Sequence, residues 1–146
     1  MKIHINQKDD IAETEITINC GQISSEIEKI ISLLRVMDLK LTGIRDNQTF
    51  ILDVMKILYI DTVDKRTFFY TKTEVYETPL KLYELEDRLR VNDFLRANKS
   101  CIINFNQIKS IKADLDGKLL VTMNNSEKLF VSRQYASDFK EKLGVR

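Results

Sequence analysis

Between Thr49 and Val131 the chain is cut into short runs of β-branched and aromatic residues, each closed by charged or turn-forming residues. That pattern restricts the fold to one built mainly from strands. The runs occupy residues 50–54, 57–62, 67–72, 74–77, 101–105, 108–112, 118–123 and 129–131. Val63-Asp64-Lys65-Arg66 reads as a hairpin connection, and Asp116-Gly117 and Asn124-Asn125 read as tight turns between later strands. Two short helices interrupt this series. One is expected to open with Thr78 as N-cap and Pro79 at the first helical position, with Leu82, Leu85 and Leu89 facing the core. The other is expected to start at Ser132, to point Tyr135, Phe139 and Leu143 inward, and to stop at Gly144.

The first 45 residues are patterned differently. Residues 2–6 and 15–19 alternate polar and apolar side chains, as strands with one buried face do. Ile23, Ile27, Ile30, Ile31 and Leu34 recur at helical spacing, and Ser25 with Glu28 has the spacing of a capping box. A strand over 38–44, closed by Arg45-Asp46-Asn47, would complete a small β-β-α-β unit. The expected fold class is therefore mainly β with short helices (47–146), preceded by a small α/β amino-terminal unit (1–46). A length of 146 residues suits one domain with a short appendage.

Charge and composition narrow the function. The net charge is only +1, but residues 96–146 carry ten basic and five acidic side chains, so the basic surplus is concentrated in the final third. Such a surplus can be the footprint of a polyanion, or ordinary unevenness. No apolar run approaches the roughly 18 residues of a membrane span, and residues 1–10 lack a signal-peptide core, so a cytoplasmic location is expected. Cys20 and Cys101 are expected to be reduced thiols, Cys101 as a small core residue. His4 is the sole histidine and there is no CxxC pair, so no metal site is expected. No phosphate-cradling glycine loop is present, which leaves no cofactor to expect. Asp114 and Asp116 are explained by a turn, and Glu84, Glu86 and Asp87 by a solvated helix face. These observations support no enzyme.

Two polar, basic segments remain: Arg96-Ala97-Asn98-Lys99-Ser100, which runs into the apolar Cys101-Ile102-Ile103-Asn104, and Val131-Ser132-Arg133-Gln134-Tyr135. If the fold brings them together, Lys99, Ser100, Arg133 and Gln134 offer donors suited to phosphates and base edges. These residues resemble the LytTR family of bacterial DNA-binding domains. The first family motif is matched by Arg96, Asn98, Lys99, Ser100, Ile102, Ile103 and Asn104, and the second by Leu129, Val131, Ser132, Arg133, Tyr135 and Phe139. The Leu80 to Leu89 stretch resembles the family's leucine-rich helix, and the likeness extends over about 47–144. One departure is Asn98, which stands in the family's usual histidine position.

The resemblance implies an elongated β scaffold whose loops enter successive major grooves of double-stranded DNA. Its contact residues would be Arg96, Asn98, Lys99, Ser100, Arg133 and Gln134, with a third region at Lys65, Arg66 and Thr67. For Arg96, phosphate contact and an internal salt bridge both stay open, and Asn104 is expected to fix a turn. Too few residues precede the domain for the receiver that most relatives carry. The resemblance is to short regulators of this family, often encoded beside a small membrane protein that restrains them. The isoleucine-rich helix and the segment 2–6 point to a homodimer on two half-sites. The alternative is a protein-interaction module of the same fold that has lost DNA binding, a reading supported by Asn98 and the near-neutral charge.

Overall fold

The computed structural model describes residues 1–37 and 40–144. After helix α1 (Ser25–Met37), strands β1 (Lys40–Arg45), β2 (Gln48–Asp53), β3 (Tyr59–Val63), β4 (Arg66–Tyr70) and β5 (Val75–Thr78) lead to helix α2 (Leu82–Leu89). Strands β6 (Phe94–Asn98), β7 (Cys101–Asn104), β8 (Ile108–Ala113), β9 (Leu119–Met123) and β10 (Lys128–Val131) follow, and helix α3 (Arg133–Leu143) ends the described chain. Seven strands form one sheet in the order β2-β1-β5-β4-β3-β7-β6, and three form another in the order β10-β9-β8. Every neighbouring pair is antiparallel, and those consecutive in the chain are joined by short connections, while β1–β5 and β3–β7 are brought together over longer stretches of chain. The β1–β2 and β3–β4 turns use Asp46-Asn47 and Asp64-Lys65, both residues of each pair at positive φ, which matches the twist of the flanking strands.

The large sheet is buried on both faces at its centre. Ile60, Phe69 and Ile102 pack with Leu82, Leu85 and Leu89 of α2 on one side. Tyr59, Cys101 and Ile103 pack on the other side with Leu119, Val121 and Met123 of the small sheet and Ala136 and Phe139 of α3. Successive residues of β3 and β7 thus enter opposite cores, as a period of two requires. Each fully buried side chain such as Phe69, Phe139 or Ile103 contributes on the order of 1.5–3 kcal/mol of burial. Asn104 is also fully buried: its amide donates to the Ile57 carbonyl (2.9 Å), and its oxygen accepts from the Asn106 N–H (3.1 Å).

Several expectations are corrected. Residues 2–6 and 15–19 form no strand, because no sheet edge lies against them and alternation alone satisfies no backbone group. The strand expected over 38–44 runs as β1; Asp38 and Leu39 lie outside the described residues. β1 ladders with β2 and β5, so it is an internal strand of the large sheet. Gly43 explains the fit: a Cβ there would sit 2.6 Å from Tyr76 Cβ and 2.8 Å from Leu52 Cδ1. α1 is capped by Ser24, whose Oγ accepts from the Ile27 N–H (3.3 Å), not by Ser25. It packs beside the turn at Arg90–Asn92.

Thr78 belongs to β5, paired with Thr67, and α2 starts three residues later than expected, with Lys81 as its N-cap. The hydroxyl of Thr78 instead accepts from the Leu80 N–H (3.2 Å). Phe139 is buried and Tyr135 half-buried, but Leu143 is exposed, since neither sheet reaches the last turn of α3.

Candidate nucleic-acid interface

The two basic segments meet. β6 and β7 pair across the turn at Lys99-Ser100, with a bulge at Ala97 between the Arg96–Ile102 and Asn98–Cys101 pairs. A bulged residue drops out of the ladder, which leaves its carbonyl free for another partner. Here the Ala97 carbonyl accepts from the N–H of Ser132, at 2.8 Å. The Asn98 amide donates to the Phe130 carbonyl of β10 at 3.1 Å. These two bonds tie the β6–β7 hairpin to the start of α3 and set exposed Lys99 and Ser100 near exposed Arg133 and Gln134.

The β3–β4 turn lies at the same end. Asp61 pairs with Cys101, and the Thr62 N–H donates to the Ser100 carbonyl (2.9 Å), so β3 runs past this hairpin to its own tip at Asp64-Lys65. A third turn closes the group. Leu119 pairs with Val131, which brings the β8–β9 connection at Leu115–Gly117 beside Arg133. The side chain of Arg133 lies across Gly117: a Cβ there would be 3.2 Å from its Cγ, 3.5 Å from its Cδ and 3.7 Å from its Nε. Asp116-Gly117 identifies this turn locally, but only the β9–β10 register brings it to α3.

The nine residues singled out from the sequence do not all sit alike. Lys65, Arg66, Lys99, Ser100, Arg133 and Gln134 are exposed at this end. Arg66 is already engaged, its Nε donating to Glu77 Oε2 (3.0 Å) with its guanidinium over the Phe68 ring. The pairing holds the Glu77 carboxyl below its ordinary range and raises Arg66. Thr67 is corrected: at 5% exposure it faces inward beside Thr62, so its side chain is not presented to solvent.

Arg96 and Asn98 stand on β6, not in a loop, a strand that the sequence reading missed. Arg96 donates to the carbonyls of Asn98 (Nε, 2.8 Å) and Lys99 (Nη2, 2.7 Å) and from Nη1 to Glu86 (3.3 Å). Its side chain is 19% exposed, so the guanidinium serves the turn from within. The Asn98 oxygen accepts from the Ser100 N–H (2.9 Å) and hydroxyl (3.1 Å). The residue in the family's histidine position therefore brackets the Lys99-Ser100 turn and fastens it to β10.

Beneath the turn, the rings of Tyr59 and Tyr70 stack at 4.3 Å and Asp61 keeps one buried carboxyl oxygen without a hydrogen-bond partner. Burial raises the Asp61 pKa, offset in part by the Tyr70 hydroxyl. Burial, with a smaller push from Asp61, holds the Cys101 thiol at about 12, so it stays protonated as a core residue. Among the described helices none is long and apolar enough to cross a membrane.

The chain is 25% identical over 147 residues to an HTH-type transcriptional regulator of Staphylococcus aureus strain MSSA476, covering 99% of this chain and 98% of the relative. A counterpart from strain NCTC 8325 is 24% identical, covering 99% of both chains. Despite that description, strands separate α1, α2 and α3 here, so no two described α-helices form a helix-turn-helix. Among solved structures, the chain is similar to the LytTr DNA-binding domain of a methyl-accepting/DNA response regulator of Bacillus cereus. That likeness has a TM-score of 0.68 and 30% identity, over 72% of this chain and 96% of that one. The model of the LytTr DNA-binding domain matches residues 47–144, and the chain belongs to that family.

Proposed function

We propose that this protein is a sequence-reading transcription regulator that docks the turn-bearing end of its sheets against double-stranded DNA. The observation that carries the reading is the pair of bonds joining Ala97 to Ser132 and Asn98 to Phe130. They bring Lys99, Ser100, Arg133 and Gln134 together as one solvent-facing group. Arg133 and Gln134, at the start of α3, suit base edges, and Lys99 and Ser100 suit phosphate oxygens. Lys65 extends the same end, and Arg66 reaches a phosphate only by sharing or leaving Glu77. Arg96 and Asn98 act from behind, shaping the turn.

The regulator binds two half-sites as a homodimer in this reading. Support comes from isoleucines at 3, 5, 16 and 23 that the described chain leaves exposed and a second copy can cover. Mass measurement in solution checks the dimer.

Binding is tested by selecting duplexes from a random library and titrating the preferred duplex and a scrambled one by fluorescence polarisation over a salt series. Arg133→Ala should lose about 1–3 kcal/mol of discrimination. Lys99→Ala should weaken both duplexes alike and lower the salt slope by roughly 0.9 per bound protomer. Absence of saturable binding at low salt would instead favour the protein-interaction module. Asn98 no longer speaks strongly for that alternative, because its amide is occupied in building the turn.

A further inference from the structure

We infer that Gly117 is a positioning residue for Arg133, and that the Asp114–Lys118 turn is the platform that aims this arginine at the duplex. The inference rests on reading Arg133 as a base contact, and it adds an element that neither basic segment contains. An arginine at the first position of an exposed helix has many rotamers and would lose that freedom on binding. Here the arginine stem runs through the space that a Cβ on Gly117 would crowd, its Cγ, Cδ and Nε 3.2, 3.5 and 3.7 Å from that position, so the absence of a side chain at 117 is what leaves this path open. The turn is held under it by Asp114, whose carboxylate accepts from the Leu115 N–H (2.8 Å) and whose own N–H donates to the Lys118 carbonyl (2.9 Å). Asp116 and Gly117 both adopt positive φ, which brings the backbone close to α3. A Cβ at 117 would crowd the arginine stem at 3.2 Å, so the stem must give by a few tenths of an ångström and the guanidinium at its end is re-aimed. The stem can move, so the damage falls on where the guanidinium points more than on the fold.

Gly144 supplies the control. It has φ +75 against +77 for Gly117, yet nothing lies within 4 Å of the Cβ it would gain. Gly144→Ala therefore carries the same backbone strain with no effect on Arg133. Gly117→Asn is the second probe, because asparagine tolerates the left-handed conformation while still placing a Cβ against the arginine. In the polarisation titration, both Gly117→Ala and Gly117→Asn should lower discrimination between selected and scrambled duplex by roughly threefold to tenfold. Gly144→Ala should match the parent, and Gly117→Ala should do nothing more in an Arg133→Ala background.

Parental discrimination in Gly117→Ala, rescue by asparagine, or an undiminished effect without Arg133 would each overturn the inference. A parent that binds no duplex refutes the DNA-binding reading instead. The positioning claim is then decided in the free protein by 15N relaxation of the Arg133 Nε. It should be ordered in parent and Gly144→Ala and mobile in Gly117→Ala, and equal mobility in all three sinks it.

Discussion

Arg96 allows the sharpest test of how the interface is built, because contact with DNA and support from behind predict different salt behaviour. Its guanidinium donates to two carbonyls of the turn and to Glu86, and Arg96→Ala removes all three bonds at once. Hydrogen bonds from a charged donor contribute about 1.5–3 kcal/mol each when buried. Lys99 is exposed, Asn98 half-exposed and the Glu86 side chain 30% exposed, so water can replace much of what is lost. A net destabilisation of about 1–2 kcal/mol follows after that discount. Urea denaturation measures it. Discrimination between duplexes should fall because the Lys99-Ser100 turn loses its bracket.

The slope of log affinity against log salt should stay at the parental value, since no phosphate contact has gone. Arg96→Lys sharpens the comparison. It keeps the charge but cannot reach two carbonyls and a carboxylate together, so it should behave like alanine. A salt slope shallower by about 0.9 per bound protomer with unchanged stability, and restored binding in the lysine variant, would make Arg96 a phosphate contact and refute the argument.

Gly43→Ala should cost about 2–3 kcal/mol, because the new methyl meets Tyr76 and Leu52 at 2.6 and 2.8 Å; an unchanged urea midpoint would deny β1 its place in the large sheet. Asn104→Ala should cost about 2–3 kcal/mol by orphaning the Ile57 carbonyl and the Asn106 N–H, with salt dependence of DNA binding unaltered. Asp61→Asn should be stabilising at pH 7. Burial raises the Asp61 pKa above 3.8, so the folded state is penalised once the carboxyl ionises. That penalty is absent below the ordinary aspartate range and grows as pH rises through the folded value. The advantage of asparagine should therefore shrink as denaturation is repeated toward pH 4 and below, and a difference constant with pH would contradict the assignment.

Strand content, turn positions and the two basic segments were legible in the residues themselves. Nine of the ten strands among the described residues fall within a few residues of the expected ones, and Asp64-Lys65 and Asp116-Gly117 sit where the chain reverses. Periodicity and turn chemistry are local properties, so a local reading recovers them. What a segment pairs with is not local. The alternation of residues 2–6 and 15–19 is as clean as that of a true strand, but no edge receives it, whereas β6, with weaker alternation, is held by its ladder with β7.

The same limit governs the interface. Arg96 and Arg133 carry the same guanidinium, and only the fold makes one an internal bracket and leaves the other on the surface. Thr67 sits beside two exposed basic residues but faces the core, because β4 assigns alternate side chains to opposite faces. Ala97 and Ser132, or Gly117 and Arg133, are neighbours only through strand registers set by the burial of two cores. The residue types state which chemistry is available, and long-range packing decides which of them water and DNA can reach.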